Sequence, residues 1–302
     1  MKRLKALRQS GNYTQQQLAE KLKTTQQTIA RWESGKAEPS MSDLRDLAMI
    51  FSTSVDDLLD VNPFSDKVAT NHLCFSLAGR ENITDGFWGH IGLLLPGQEK
   101  VKWFPITLQT ANEVSSALAK IAKDEEWLCI STLNNRMLAF NPNKLRHIYL
   151  LDDASDMCNA WNDEAKVDYN GQPLEFYRGL DAWASHDEDW EETSSAAYRE
   201  VIEEFVKERG MDEEDTLAFL HHSTVYTVDG ISKSYWANAQ RLSNVIFEIE
   251  MECLSKIVAI HAEGGDFESY YPQANLAAIE MPLIDLIDAA KEELKELEGA
   301  AA

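Results

Sequence analysis

Two residues, Lys23 and Thr24, separate two capped helical segments near the start of this chain, and so short a turn forces the flanking helices to cross steeply. Before the turn, Thr14 offers its hydroxyl as a cap to QQQLAEKL, Gln17 completes a capping box, and Leu18, Ala19 and Leu22 form the apolar face. After it, Thr25 caps QQTIARWES, whose buried face is Ile29 and Trp32. Upstream, Leu4 and Leu7 set a helical stripe that Gly11-Asn12 ends near Ser10, since both residues tolerate the left-handed conformation. Downstream, Gly35 closes the third helix and Pro39-Ser40 start a fourth, with Leu44, Leu47, Ala48 and Phe51 inward. Ser54 caps a short fifth, VDDLL. The pattern predicts a five-helix domain over 1–61 with one small core.

Charge divides the chain in the same place. The whole carries 28 basic against 51 acidic residues, a net −23, which by itself argues against nucleic acid. Residues 1–36, however, hold eight Lys or Arg against two Glu, a balance of +6, whereas residues 61–302 hold 19 against 43, a balance of −24. One end suits phosphates and the remainder repels them. A hydrophobic share of 44% over 302 residues argues for globular structure in about two domains. The start MKRLKALRQSGN lacks a signal-peptide core and no apolar run suits a membrane span, so a cytoplasmic protein is expected. Cys74, Cys129, Cys158 and Cys253 form no CxxC pair and read as reduced, mostly buried thiols.

The string Thr14-Gln15, Leu18-Ala19-Glu20-Lys21-Leu22, Ile29, Trp32-Glu33, Gly35-Lys36, Pro39, Leu44, Leu47-Ala48 and Val55 to Leu59 resembles the Cro and phage-repressor type of helix-turn-helix, the XRE family. The resemblance implies that the third helix enters the major groove of double-stranded DNA. Lys23 stands where the family usually has Gly, and Thr24 where Val or Ile is commoner. The stretch Thr24-Thr25-Gln26-Gln27 is similar to the start of the recognition helix in a lambdoid phage repressor, which implies an adenine-rich half-site. Arg31 replaces a third glutamine of that pattern, so the inner bases need not match.

The side-chain chemistry agrees. Gln26 and Gln27 at a helix amino end can bond adenine N6 and N7, and Arg31, one turn on, can reach guanine or the backbone. Gln15 can offer its side chain and backbone N–H to a phosphate. Arg8, Ser34 and Lys36 are expected to add phosphate contacts, and Thr25 and Thr28 complete the expected contact set. The bland alternative is that these polar residues merely solvate helix faces. Trp32, three residues after Ile29, reads as core.

A linker is expected at 62–70 and an acidic domain over 71–302, with a sub-boundary within 155–220. HLCFSLAGR, WGHIGLLLP, KVKWFPIT, WLCIST, RMLAF and LRHIYLL read as strands, with turns at Pro96-Gly97 and Asn134-Asn135 and a helix at 109–123. Helices are expected at 153–161, 174–185, 193–209 and 212–221, then strands STVYTV, NVIFEIEM, KIVAIHA and NLAAIEM, then a final helix LIDLIDAAKEELKEL. The fold class is α+β, with the second domain mixed and largely antiparallel. The segment from Trp127 echoes the one from Lys256, each running strand, polar turn, strand, aromatic-x-Pro, strand. This reads either as two copies of a small β-sheet unit or as two hairpins with common turn chemistry.

No reaction chemistry stands out. Lambdoid repressors can carry a self-cleaving domain, and Ala78-Gly79 with Ser115 or Ser116 invites that test, yet Lys144 and Lys166 lie at the wrong spacing for a base. His221-His222, Cys253, His261, Glu263 and Asp266 lack metal-ligand spacing, and the run His186-Asp187-Glu188-Asp189 reads as a solvated loop. No catalytic residue, metal or cofactor is expected. Trp88, Trp103, Trp161, Trp183 and Trp236 serve either a large core or a ligand surface, with core the better reading. The expectation is a non-enzymatic transcription regulator, a repressor acting as a homodimer on a pseudo-palindromic operator, whose acidic domain supplies dimerisation and receives a small-molecule or protein effector. The alternative is an antitoxin-like, partner-binding protein whose helix-turn-helix autoregulates its own operon. An RNA-binding sheet module is disfavoured by the balance of −24 over residues 61–302.

Overall fold

The computed structural model describes residues 1–59, 87–121, 126–154, 171–265 and 267–301. The expected linker, the strand expected at 72–80 and most of the helix expected at 153–161 lie outside these residues, as do Trp161 and Lys166. The chain packs as two compact units, Met1–Pro63 with Pro173–Leu217, and Phe64–Gln172 with Ala218–Ala302.

The first unit begins with α1 (Lys2–Ser10), α2 (Gln15–Lys21), α3 (Gln26–Glu33), α4 (Met41–Phe51) and α5 (Val55–Leu58). Each cap that the sequence offers to α2, α3 and α4 is made, with Thr14, Thr25 and Ser40 accepting from the backbone N–H three residues on. Leu4, Leu18, Ile29, Leu47 and Leu58 are almost wholly buried and Trp32 lies beside them, so one apolar core holds all five helices. At the end of α1 it is Asn12, not Gly11, that turns left-handed, at φ 59 against −76.

The same unit includes α7 (Leu174–Ala184), α8 (Trp190–Thr193) and α9 (Ala196–Arg209). Helix α4 packs on this segment through a polar clamp. Arg45 Nε lies 3.3 Å from Glu175 Oε1, and Arg45 Nη1 donates to Ser194 Oγ at 2.9 Å. Ser195, whose hydroxyl caps α9, donates to Asp46 Oδ1 at 2.7 Å. Phe176, Tyr177, Ile202 and Phe205 form the apolar interior of these helices.

The second unit contains one order of elements twice: strand, strand, helix, strand, strand, 3-10 turn, strand. The first pass is β1 (Phe87–Leu94), β2 (Lys102–Thr107), α6 (Leu108–Leu118), β3 (Leu128–Ser131), β4 (Arg136–Phe140), the turn Pro142–Lys144 and β5 (His147–Asp152). The second is β6 (His222–Thr227), β7 (Ser232–Trp236), α11 (Ala239–Glu250), β8 (Ile257–His261), β9 (Glu268–Pro272), the turn Gln273–Asn275 and β10 (Leu276–Pro282). The echo seen in the sequence is thus the later part of a longer structural repeat. Helix α10 (Glu213–His221) leads into the second pass and α12 (Leu283–Ala301) follows it.

The two passes interlock. β10 pairs antiparallel with β6 of its own pass on one side and with β4 of the other pass on the other, which gives a sheet ordered β3-β4-β10-β6-β7. β2-β1-β5 and β8-β9 form the other sheets. Ile91, Phe104 and Ile106 from the first pass share a core with Tyr226 and Ala278 from the second. A buried carboxylate joins the passes as well. Glu280 on β10 lies 2.5 Å from Lys102 Nζ and 3.1 Å from Arg136 Nε, and it accepts from Tyr226 Oη at 3.0 Å. The turns after β1 and β6 meet at Gly97 and Gly230, where a methyl on either would sit under 3 Å from the other's Cα.

Three expectations need correction. NVIFEIEM is not a strand; residues 239–250 form α11, with Leu242, Val245, Ile246 and Ile249 inward and the Asn238 side chain capping Arg241 N. Its β-branched residues mimic a strand, but their spacing is helical and the Asn cap decides the conformation. The strand β7, among exposed polar residues, carries little apolar signal. Of the thiols expected to be buried, Cys129 is half-buried and Cys253 exposed, while Cys74 and Cys158 lie outside the described residues.

Candidate nucleic-acid interface

The turn between α2 and α3 is tight because Lys23 adopts φ 52 and Thr24 N–H closes back onto Ala19 O at 2.9 Å. Lys23 therefore occupies the left-handed position in which glycine is favoured. Helix α3 then starts on Thr25, which accepts from Thr28 N–H at 3.2 Å, while the two threonine hydroxyls lie 2.9 Å apart. Ile29 and Trp32 face the core, so Gln26, Gln27 and Arg31 are left exposed on the opposite side. Ser34 donates back to Arg31 O at 3.1 Å and Lys36 is exposed just beyond it.

Behind this surface lies a small polar hub on Glu33. Arg8 Nε reaches Glu33 Oε1 at 2.5 Å, Gln15 Nε2 reaches Oε2 at 2.8 Å, and Arg8 Nη1 donates to Tyr13 O at 2.8 Å. Burial alone would raise the Glu33 carboxyl, but the bonds from Arg8 and Gln15 and the charges of Arg8 and Lys5 outweigh it and hold its pKa below the usual value. Of the expected contact residues, the fold therefore brings Arg8 and Gln15 together around Glu33. It leaves Gln26, Gln27, Arg31, Ser34 and Lys36 as exposed side chains. Glu33 escaped the sequence reading, which sought cations; its position in the matched string was the only signal.

The arrangement is suited to reading base edges. Two side-chain amides, each with a donor pair and an acceptor, project from the amino end of a helix whose other face is fixed in a core. The residues weighed for other chemistry are dispersed. Among the described residues no group of three or more His, Cys, Asp or Glu is placed to hold a metal ion. His221 bonds Asp285 at 2.8 Å and stacks on Trp236, and His261 bonds Glu268 at 3.1 Å. His186 faces Glu213 at 3.3 Å on the surface, and Lys144 Nζ donates to Gln273 O at 2.6 Å, away from any nucleophile role for the exposed Ser115 and Ser116. Asp266 and Ala78-Gly79 lie outside the described residues. Trp103 is buried as expected of a core residue, whereas Trp236 is 41% exposed. No helix among the described residues is long and apolar enough to cross a membrane.

With this geometry, comparison with known proteins is decisive for one segment. A helix-turn-helix family model matches residues 4–58. Residues 4–58 are a helix-turn-helix domain of the XRE type. Over 57 residues the chain is 44% identical to an HTH-type transcriptional activator, BcrR of Enterococcus faecalis, covering 19% of this chain and 28% of that protein. An SPbeta prophage-derived uncharacterized HTH-type transcriptional regulator, YonR of Bacillus subtilis strain 168, is also 44% identical over 57 residues, 53% of its length. The chain thus spans between about a quarter and about half of the length of these relatives. No solved structure matches the chain.

Proposed function

We propose that this chain is a sequence-specific transcription regulator that binds double-stranded DNA as a homodimer on a pseudo-palindromic operator and represses by occupying a promoter in the cytoplasm. The observation that carries the reading is the amino end of α3, where Gln26 and Gln27 are exposed while Ile29 and Trp32 are locked in the core. Arg31, Thr25 and Thr28 flank the two glutamines, Ser34 and Lys36 supply the phosphate-facing rim, and Arg8 and Gln15, expected there too, are held behind it on Glu33. A lone domain of this size buries too little surface for tight specific binding, so a two-fold pair of domains on two half-sites is required. The regulators that share the domain support DNA binding; one of them is an activator, so they do not carry the sign. The acidic remainder supplies dimerisation and a place for an effector.

Selection of bound sequences from random duplexes by the full chain should return an inverted repeat with adenine in each half-site. On that site Gln27→Ala should cost about 1–3 kcal/mol of affinity, by fluorescence anisotropy, while Gln109→Ala on α6 should cost nothing. Equal affinity for the selected and scrambled duplexes would overturn the reading. A native mass measurement of the complex tests the dimer, and a promoter fusion tests repression.

A further inference from the structure

We infer that the cleft between the two passes of the second unit binds a small organic anion, a planar carboxylate with an apolar body. The cleft measures about 760 Å³, within the range of small-molecule sites. Its walls come from matching elements of the repeat: the ends of α6 and α11, the approaches to β3 and β8, and the two 3-10 turns. Such a seam between equivalent halves is where ligand sites commonly form.

Three observations give the occupant its chemistry. The first is the sign of the rim, where Lys120, Lys144 and Lys256 converge in a part of the chain that carries −24 over residues 61–302. Lys120 and Lys256 are exposed and make no ion pair with any described residue. The acidic residues of the rim, Glu126 and Glu252, already have partners within the chain. The last turns of α6 and α11 favour cations, so the lysines alone set the positive sign.

The second is Trp127, whose ring lines the cleft with Lys144 Nζ 5.8 Å from its centroid. Its indole N–H is buried with no acceptor among the described residues. That N–H is closed off from the cleft, so what Trp127 offers an occupant is the flat face of its ring. The third is the apolar wall of Leu128, Ile249, Leu254 and Pro272, which suits a flat body rather than a bare ion.

The site rests on the reading of the second unit as the effector-binding part only for its regulatory meaning, and binding is measured without DNA. The probe is benzoate, with benzylamine as its cationic counterpart, followed through the Trp127 indole resonance of the full chain, assigned with Trp127→Phe. Benzoate should move that resonance and saturate in about the millimolar range, and benzylamine should leave it in place. Lys120→Glu with Lys256→Glu, both surface changes, should weaken benzoate at least about tenfold. An unmoved resonance at about 50 mM benzoate, equal movement with benzylamine, or unchanged binding by the double variant would each overturn the site. A second arm measures affinity for the selected operator with benzoate bound. A change supports the effector reading; unchanged affinity leaves the anion site standing and overturns the second unit as a sensor.

Discussion

Lys23 holds a left-handed backbone at φ 52, a conformation that costs an L-residue about 1–2 kcal/mol and glycine almost nothing. Lys23→Gly should therefore stabilise the domain by about 1 kcal/mol, seen as slower hydrogen exchange of the α2 and α3 amides in the full chain. Glu33 makes the opposite point about charge. Its folded pKa lies below the unfolded value, so its ion pair contributes stability that is fully present above the ordinary carboxylate range and is lost as pH falls through the folded value. Exchange of the same amides measured down an acid series should show that loss in the parent and not in Glu33→Gln. A parallel acid response in both proteins would remove Glu33 from the cause. Gln26, Gln27 and Thr25 were legible from the sequence because caps and helix ends are local features. The pairing of Arg8 with Glu33 was not, because a contact across 25 residues appears only once α1 and α3 have packed.

At the scale of elements, α11 is the instructive case. Val245, Ile246, Phe247 and Ile249 have the composition of a strand, yet Leu242, Val245, Ile246 and Ile249 fall on one helical face and Asn238 bonds the backbone N–H of Arg241 at 3.0 Å. If that cap secures the helix, Asn238→Ala should lower stability by about 1 kcal/mol, read as a lowered midpoint in urea, and Asn238→Ser should restore most of it. The five helices of residues 1–59 and the strands β1 to β5 could be recognised because their apolar residues recur at helical spacing or cluster in strand-length runs, with Gly, Asn or Pro at several of the turns. Strand β7 could not, because its residues are polar and exposed and only its backbone pairing with β6 makes it a strand. The clamp of Arg45 and Asp46 on Glu175, Ser194 and Ser195 was equally hidden, since nothing at residues 173–217 announces that they pack on α4.

Across the whole chain, the second unit is a two-pass structure whose halves are held together by backbone as much as by core. The Gly97 and Gly230 turns touch where no side chain fits, and Gly230 holds φ 88. Gly230→Ala should destabilise the unit by more than about 1 kcal/mol, through a strained backbone and a clash with Gly97, whereas Gly210→Ala, at an uncrowded left-handed helix end, should show the backbone cost alone. Urea denaturation of the two variants separates the contributions.

The pairing of β4 with β10 also has a consequence for how the chain is made. β4 emerges from the ribosome at residues 136–140, well before the strand that pairs with its second edge, which spans 276–282. The helix-turn-helix core needs only neighbours in sequence and can close while synthesis continues. The β3-β4 hairpin must meanwhile travel with a bare edge, the kind of surface on which stray strands dock. A finished chain carries its own remedy in β10, and an interrupted one does not.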